Sequence, residues 1–178
     1  GETIQAGDVI LGLASSGAHS NGYSLVRKII DTVSCDLDAE FDNGKTLREA
    51  LIAPTRLYVR SVLSLIRHET LEVKGLAHIT GGGLLENIPR VLPENCQAIL
   101  REESWALPKL FKWLQTQGNV EQNEMYRVFN CGIGMVVIVS AEQADAAQAH
   151  LAAQGETVYR LGEIAAYTDQ TEKQVKII

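Results

Sequence analysis

The chain has little of what would tie it to a membrane, a metal or an oxidising compartment. Its three cysteines, Cys35, Cys96 and Cys131, are odd in number and widely spaced. They form no CxxC and no Cys/His zinc spacing, so they read as reduced thiols of a cytosolic protein. No apolar run approaches the ~18 residues of a membrane span, and no signal peptide is visible. The expected location is therefore cytoplasmic, with no membrane partner. Positive charge is short too: 16 Lys and Arg stand against 22 Asp and Glu, a net charge of −6. That balance argues against a nucleic-acid or anionic-membrane surface, so any phosphate ligand must be held by local geometry. Of the four histidines, His68 and His150 fall on solvent faces of expected helices. His19 and His78 lack a third ligand of recognisable spacing, so no metal site is assigned.

What remains is an ordinary globular composition, 46% apolar and 21% charged over 178 residues. That length supports one full core, burying roughly 70% of the unfolded surface. No linker divides the chain, so residues 1–178 read as a single domain. It starts at Gly1 without Met and opens almost directly into a core strand, which suggests a piece of something longer. Periodicity gives strand 8–14, helix 21–34, a polar stretch 35–46, helix 47–52, helix 55–69 after Pro54, strand 71–79 and helix 83–89. Strand 97–101, helices 107–117 and 121–127, strand 132–139, helix 141–154 and strand 157–164 follow. Helix 107–117 is the clearest, with Leu107, Leu110, Phe111 and Leu114 on one face, Pro108 in its first turn and Gly118 beyond its end. Gly155 is the expected C′ residue of helix 141–154. The tail after Ala166 is expected to fray or to add a weak edge strand. Five strands interleaved with helices predict an α/β sandwich around one sheet. The segment 132–164 reads as a crossover unit, right-handed if its strands are parallel.

Two segments carry candidate chemistry. The run Leu71 to Ile79 empties into Gly81-Gly82-Gly83 just before a helix, with His78 and Thr80 alongside. Glycine lets a ligand approach the backbone, and the first helical turn offers unpaired N–H groups with positive potential. The same residues also suit a plain strand-to-helix turn. A second strand, Asp8 to Ala14, runs into Ser15-Ser16-Gly17-Ala18-His19-Ser20-Asn21-Gly22 before its own helix. Ser20 or Asn21 there is a natural N-cap, but one cap does not account for an imidazole, an amide and three hydroxyls. Two such cradles suggest a ligand with phosphate and sugar groups. Asn43-Gly44-Lys45-Thr46 has the tail of a P-loop without its earlier glycine or strand and is rejected. Gly12 to Gly17 fails the spacing of a nucleophile elbow. Gly132 and Gly134, entering an apolar run, read at least as well as close backbone packing. Cys131 has no activating cation beside it in sequence.

Four strings together carry a resemblance. They are Gly17-x-His19-Ser20-Asn21-Gly22-Tyr23-Ser24-Leu25-Val26-Arg27, Pro54-Thr55-Arg56-x-Tyr58, His78-Ile79-Thr80-Gly81-Gly82-Gly83 with Asn87-Ile88-Pro89-Arg90, and Glu124-Met125-Tyr126-Arg127-x-Phe129-Asn130. From about Gly7 to Glu163 the chain resembles the C-terminal domain of the aminoimidazole ribonucleotide synthetase (phosphoribosylformylglycinamidine cyclo-ligase) family. The resemblance implies an α/β (α+β) fold, a three-layer α/β/α domain with a mixed sheet, partly ferredoxin-like. It implies ATP-dependent ring closure of formylglycinamidine ribonucleotide to aminoimidazole ribonucleotide in purine biosynthesis. ATP and Mg²⁺ are then bound mainly by an N-terminal domain, which carries an Asp-x4-Gly-Ala-x-Pro motif and forms a homodimer; no segment here matches it. It places His19 and His78 in the catalytic role. Ser16, Gly17, Ser20, Asn21, Thr80, Gly81, Gly82 and Gly83 take the substrate-binding role, in a site shared with the missing domain. Formylglycinamidine ribonucleotide synthetase, selenophosphate synthetase, thiamine-monophosphate kinase and a hydrogenase maturation protein share this architecture and stand as alternatives. So does a non-catalytic binding module.

Overall fold

A computed structural model describes residues 1–169 and 171–178. Strand β1 (Val9–Ala14) is central to the six-stranded sheet, between β6 (Ile133–Val139) and β7 (Val158–Ala166), and antiparallel to both. Strand β4 (Gly75–His78) lies outside β6, while β5 (Cys96–Leu100) and β8 (Val175–Ile177) complete the other edge, giving the order β4-β6-β1-β7-β5-β8. Among the described residues only the β5–β8 pair of neighbours is parallel, so the sheet is mixed. Since β6 and β7 both run opposite to β1, they are parallel to each other with β1 threaded between them. The crossover through α7 (Ala144–Ala153) is thus a split β-α-β unit, the ferredoxin-like part of the fold.

Alternation along the strands sorts the core into two layers. Ile10 of β1 and Val136 and Ile138 of β6 face α1 (Tyr23–Val33), α2 (Leu47–Leu51), α4 (Gly83–Asn87), α5 (Lys109–Gly118) and α6 (Gln122–Val128). Val9, Leu11 and Leu13 of β1, with Val137 and Val139 of β6, face α3 (Val59–Ile66) and α7. Each central strand is apolar on both faces, as a sheet covered by helices on both sides requires. The expected three-layer α/β/α arrangement is the one that forms.

The differences from the sequence reading have local causes. The polar stretch 35–46 holds a hairpin, β2 (Glu40–Asp42) with β3 (Lys45–Thr46), turned by Asn43 and Gly44 at φ 50° and 77°. Asn-Gly is the favoured pair for a turn that needs two left-handed residues. Thr46 then caps α2 in a reciprocal box with Glu49. The helix expected at 55–69 begins only at Val59, because residues 53–58 take an irregular path that brings the Tyr58 hydroxyl to the Ala14 carbonyl at the end of β1. Strand 71–79 shortens to β4. In the segment 141–154 a 3₁₀ turn, Ala141–Gln143, precedes α7, and Gly155 takes the positive φ expected of it. Gly118 is the last residue of α5, and Asn119 supplies the left-handed cap. His68 falls just past α3 rather than within it, and its ring meets His150 edge-on at 5.0 Å.

Candidate active site

The register brings the two glycine-containing loops to one end of the sheet. Leu13 of β1 and His78 of β4 both pair with Met135 of β6. Strands β1 and β4 are therefore parallel to each other across β6, and both run out at the same level. In open α/β sheets ligands collect beyond such carboxyl ends. The pairing of β1 with β6 slips between Leu13 and Ala14, leaving Gly134 without a partner on β1. A Cβ at Gly134 would stand 2.1 Å from the Tyr58 hydroxyl and 2.6 Å from Cε1 of His19. This bulge is the space into which the His19 ring and the Tyr58 phenol fit, so the close-packing reading of Gly134 holds.

His19 is 5% exposed and sits at φ 52°, followed by Ser20 at φ 60°. Two successive non-glycine residues in the left-handed region carry backbone strain that the surrounding bonds must hold. Those bonds converge on Nε2, which accepts from the backbone N–H of Ser16 at 3.0 Å and of Arg56 at 3.3 Å. Ser16 Oγ also lies 3.0 Å from Nε2, but its hydrogen is directed at the Pro54 carbonyl, 2.6 Å away. With Nε2 accepting from backbone donors, the neutral ring carries its proton on Nδ1. Nδ1 is buried with no hydrogen-bond partner among the described residues. Burial, then the nearby His78 and Arg56, push the pKa of His19 down to about 4, so the ring is neutral at neutral pH.

His78 is exposed and also lies beside Tyr58. The Tyr58 ring centroid is 6.1 Å from that of His19 and 6.5 Å from that of His78. The Tyr58 hydroxyl donates to the Ala14 carbonyl at 2.8 Å, and burial pushes its pKa up. The structure thus gathers both histidines around one phenol.

The remaining candidates divide by what they touch. A Cβ on Gly81 would meet only Asn21 Oδ1, at 3.8 Å, so the two loops approach each other here. Gly82 is the N-cap of α4 at φ 100°, a conformation that suits glycine. Gly83 is buried, and its Cβ would collide with the Tyr126 carbonyl at 2.1 Å, so its smallness serves packing of α4 on α6. The N-cap of α1 is Gly22, in the left-handed region, with no side-chain bond to the helix. Neither Ser20 nor Asn21 caps it; Asn21 Nδ2 instead donates to the His19 carbonyl at 2.9 Å. Thr80 Oγ1 donates to Asn87 Oδ1 at 3.1 Å. Gly17 lends its carbonyl to Asn130 Nδ2 at 2.8 Å. Ser20 is exposed, with no side-chain hydrogen bond among the described residues.

Two buried amides that the site reading did not single out hold these loops. Asn130, fully buried, accepts from Ser15 Oγ at 3.0 Å and Gly132 N–H at 2.8 Å while donating to Gly17. Asn87 donates from Nδ2 to the carbonyls of Gly83 (2.8 Å), Thr80 and Gly81 (both 3.3 Å). Both lay in the quoted strings, but an Asn in an apolar context gives no sign of which carbonyls it reaches. The Cys131 thiol is buried and pushed up to about 12, an inert state. Among the described residues no group of three or more His, Cys, Asp or Glu is placed to hold a metal ion. No helix among them is long and apolar enough to cross a membrane.

Comparison with known proteins adds to this geometry. The family model described as AIR synthase related protein, C-terminal domain, matches residues 5–173. Phosphoribosylformylglycinamidine cyclo-ligase of Neisseria meningitidis serogroup C (strain 053442) is 70% identical over 162 residues, covering 91% of this chain and 46% of the relative. The same-named protein of Cupriavidus pinatubonensis is 65% identical over 164 residues, covering 92% of this chain and 46% of the relative. The chain therefore spans about half the length of the curated relatives it matches. Among solved structures, a hydrogenase maturation protein HypE superposes with TM-score 0.64 at 15% identity, covering 98% of this chain and 50% of that one. Thiamine-monophosphate kinase from Stenotrophomonas maltophilia K279a gives 0.61 at 17%, covering 98% and 51%. HypE solved in complex with ATP gives 0.62 at 16%, covering 98% and 48%.

Proposed function

The chain belongs to the AIR synthase related C-terminal domain family, and from that premise we propose that it is the substrate-binding half of a phosphoribosylformylglycinamidine cyclo-ligase. The observation that carries the reading is the 70% identity to a cyclo-ligase over 162 residues, 91% of this chain. Identities of 15–17% to HypE and the thiamine-monophosphate kinase support the shared fold and favour neither activity.

In this proposal the full-length protein closes formylglycinamidine ribonucleotide to aminoimidazole ribonucleotide at the expense of ATP. The formyl amide oxygen is phosphorylated, the amidine nitrogen attacks the activated carbon, and phosphate leaves as the ring forms. Such chemistry asks for positioning and charge stabilisation more than for a protein nucleophile. The backbone around Gly81 and Gly82 and the uncapped start of α1 offer N–H donors to anionic oxygens. Neutral His19 keeps its Nδ1–H buried and unpartnered, a donor that a substrate oxygen reaches once the covering loops part, and this role needs no titration near neutral pH. The exposed imidazole of His78 is the better placed to take up or release the proton that ring closure displaces. Mg²⁺, which would shield phosphate charge, finds no carboxylate cluster among the described residues.

The missing half of the relatives' length supplies the ATP and metal contacts in this reading. An apolar face beside the site supports its docking there. Leu57 is 84% exposed and Val59 64%, with Ile52, Leu63 and Ile66 also exposed. A groove of about 380 Å³ lined by Leu57, Val59, Leu63, Met135 and His78 runs along this face. Apolar surface of that kind beside a site marks an interaction surface, and the remainder of the same polypeptide is the occupant we assign. The full-length protein is proposed to be a homodimer, which light scattering tests. The functional test is turnover of formylglycinamidine ribonucleotide and ATP by the full-length protein. His19→Gln and His78→Gln should each lower it strongly, and near-normal turnover in both would overturn the site.

A further inference from the structure

We propose that Arg56, just before α3, and Glu156, just after α7, are positioning residues that fix the tautomer of His19. The inference rests on the reading of His19 as a site residue, but its chemistry is separate from turnover. Arg56 lies in the irregular segment before α3, and its backbone N–H is one of two backbone donors to His19 Nε2. A backbone donor is only as well placed as the segment that carries it. That segment is anchored by its own side chain: Arg56 Nε donates to Glu156 Oε2 at 2.7 Å and Nη2 to the Gly155 carbonyl at 2.8 Å. The Glu156 side chain is 4% exposed, and its second oxygen accepts from Ser61 Oγ at 2.6 Å. Both carboxylate oxygens are thus committed, one to Arg56 and one to α3. A carboxylate buried this deeply persists as an ion only when paired and hydrogen-bonded.

The consequence for His19 follows from hydrogen-bond arithmetic. A neutral imidazole has one donor and one acceptor nitrogen. While the clamp holds the Arg56 N–H on Nε2, the acceptor side is fixed and the proton stays on Nδ1. Freeing the Arg56 segment leaves only the Ser16 N–H, from a loop containing positive-φ residues, to hold the ring. The ring then samples the other tautomer, and Nδ1 no longer points a constant donor. The charged and titratable groups around His19 are His78, Tyr58, and Arg56 with its partner Glu156. Direct electrostatics from the guanidinium therefore act alongside the clamp, and Glu156→Gln, which keeps the guanidinium and loosens the clamp, separates the two.

The test is long-range ¹H–¹⁵N correlation on the full chain labelled with ¹⁵N-histidine, with His19 identified by loss of its signals in His19→Gln. The wild-type His19 should show two unlike nitrogens at neutral pH, Nδ1 protonated and Nε2 bare. Arg56→Ala should draw the two signals together toward an exchange average. Arg56→Lys, whose ammonium can still meet Glu156, should restore most of the separation. Glu156→Gln keeps the shape and an acceptor for Ser61, so it serves where Arg56→Ala fails to fold, and it should also move the signals toward the average. Unmoved His19 signals in folded Arg56→Ala or Glu156→Gln would overturn the proposal. No substrate enters the measurement, so the outcome stands whether or not His19→Gln in the full-length protein loses turnover.

Discussion

Replacing His19 should change how the stability of the chain depends on pH, by an amount the structure allows to be worked out. The ordinary histidine value is 6.5, and burial holds His19 at about 4 in the folded chain. The unfolded chain therefore binds the proton more readily than the folded one between those values. Stability from this group is present in full above pH 6.5 and is lost as pH falls toward 4, below which the loss levels off. The linkage relation puts the loss at ~2 kcal/mol between about pH 8 and about pH 5, and ~3 kcal/mol by about pH 4. His19 is almost wholly buried, so solvent screening takes little from that figure. His19→Gln places an oxygen where Nε2 accepts from Ser16 and Arg56, and it does not titrate. Urea unfolding of both proteins across this range isolates the contribution, because every other titrating group is shared and cancels in the difference. The wild type should lose ~2 kcal/mol more than His19→Gln on going from about pH 8 to about pH 5. Parallel pH profiles would show that His19 is accessible to protons in the folded state and would refute the buried, neutral ring.

Other perturbations follow from particular contacts. Gly83→Ala should cost more than ~3 kcal/mol or prevent folding, because its Cβ meets the Tyr126 carbonyl at 2.1 Å, whereas Gly81→Ala should stay within ~0.5 kcal/mol. Equal effects on the urea midpoint would refute that division of the triple glycine. Asn130→Ala should destabilise by ~2–4 kcal/mol, since it strands Ser15 Oγ, the Gly132 N–H and the Gly17 carbonyl in or near the core. Asp8→Ala leaves Lys74, 11% exposed and bonded to Asp8 at 2.6 Å, without its partner and should cost ~3–5 kcal/mol, while Lys74 and Asp8 replaced together should cost less. Leu57→Glu should leave the urea midpoint of this chain unchanged, since the residue is 84% exposed, yet lower turnover of the full-length protein. Unaltered turnover there would remove the apolar face from the interface.

The layers of the fold were legible because the central strands are apolar on both faces and the longer helices keep a clean stripe. Leu110, Phe111 and Leu114 of α5 show how directly periodicity reads as burial. The hairpin at 40–46 was missed although Asn43-Gly44 is a strong turn signal, because the flanking strands are three and two residues long and mostly polar. The sequence placed both glycine loops before helices, but register alone could show that β1 and β4 end together, since that depends on both pairing with β6. Asn130, Arg56 and Glu156 act through partners up to 115 residues away, as Asn130 does with Ser15. Contacts at such separations leave no spacing in the sequence. Gly83 shows a second demand that spacing does not reveal: within a run that looks like a ligand cradle, its hydrogen is needed by a neighbouring helix.

The central claim is that this chain holds one part of a composite cyclo-ligase site. Steady-state phosphate release from ATP in the presence of formylglycinamidine ribonucleotide, measured for the 178-residue chain alone and for the full-length protein, tests it most directly. The chain alone should show no rate above background, and the full-length protein should show sustained turnover. Turnover by the isolated chain, or a full-length protein inactive on this substrate, would contradict it.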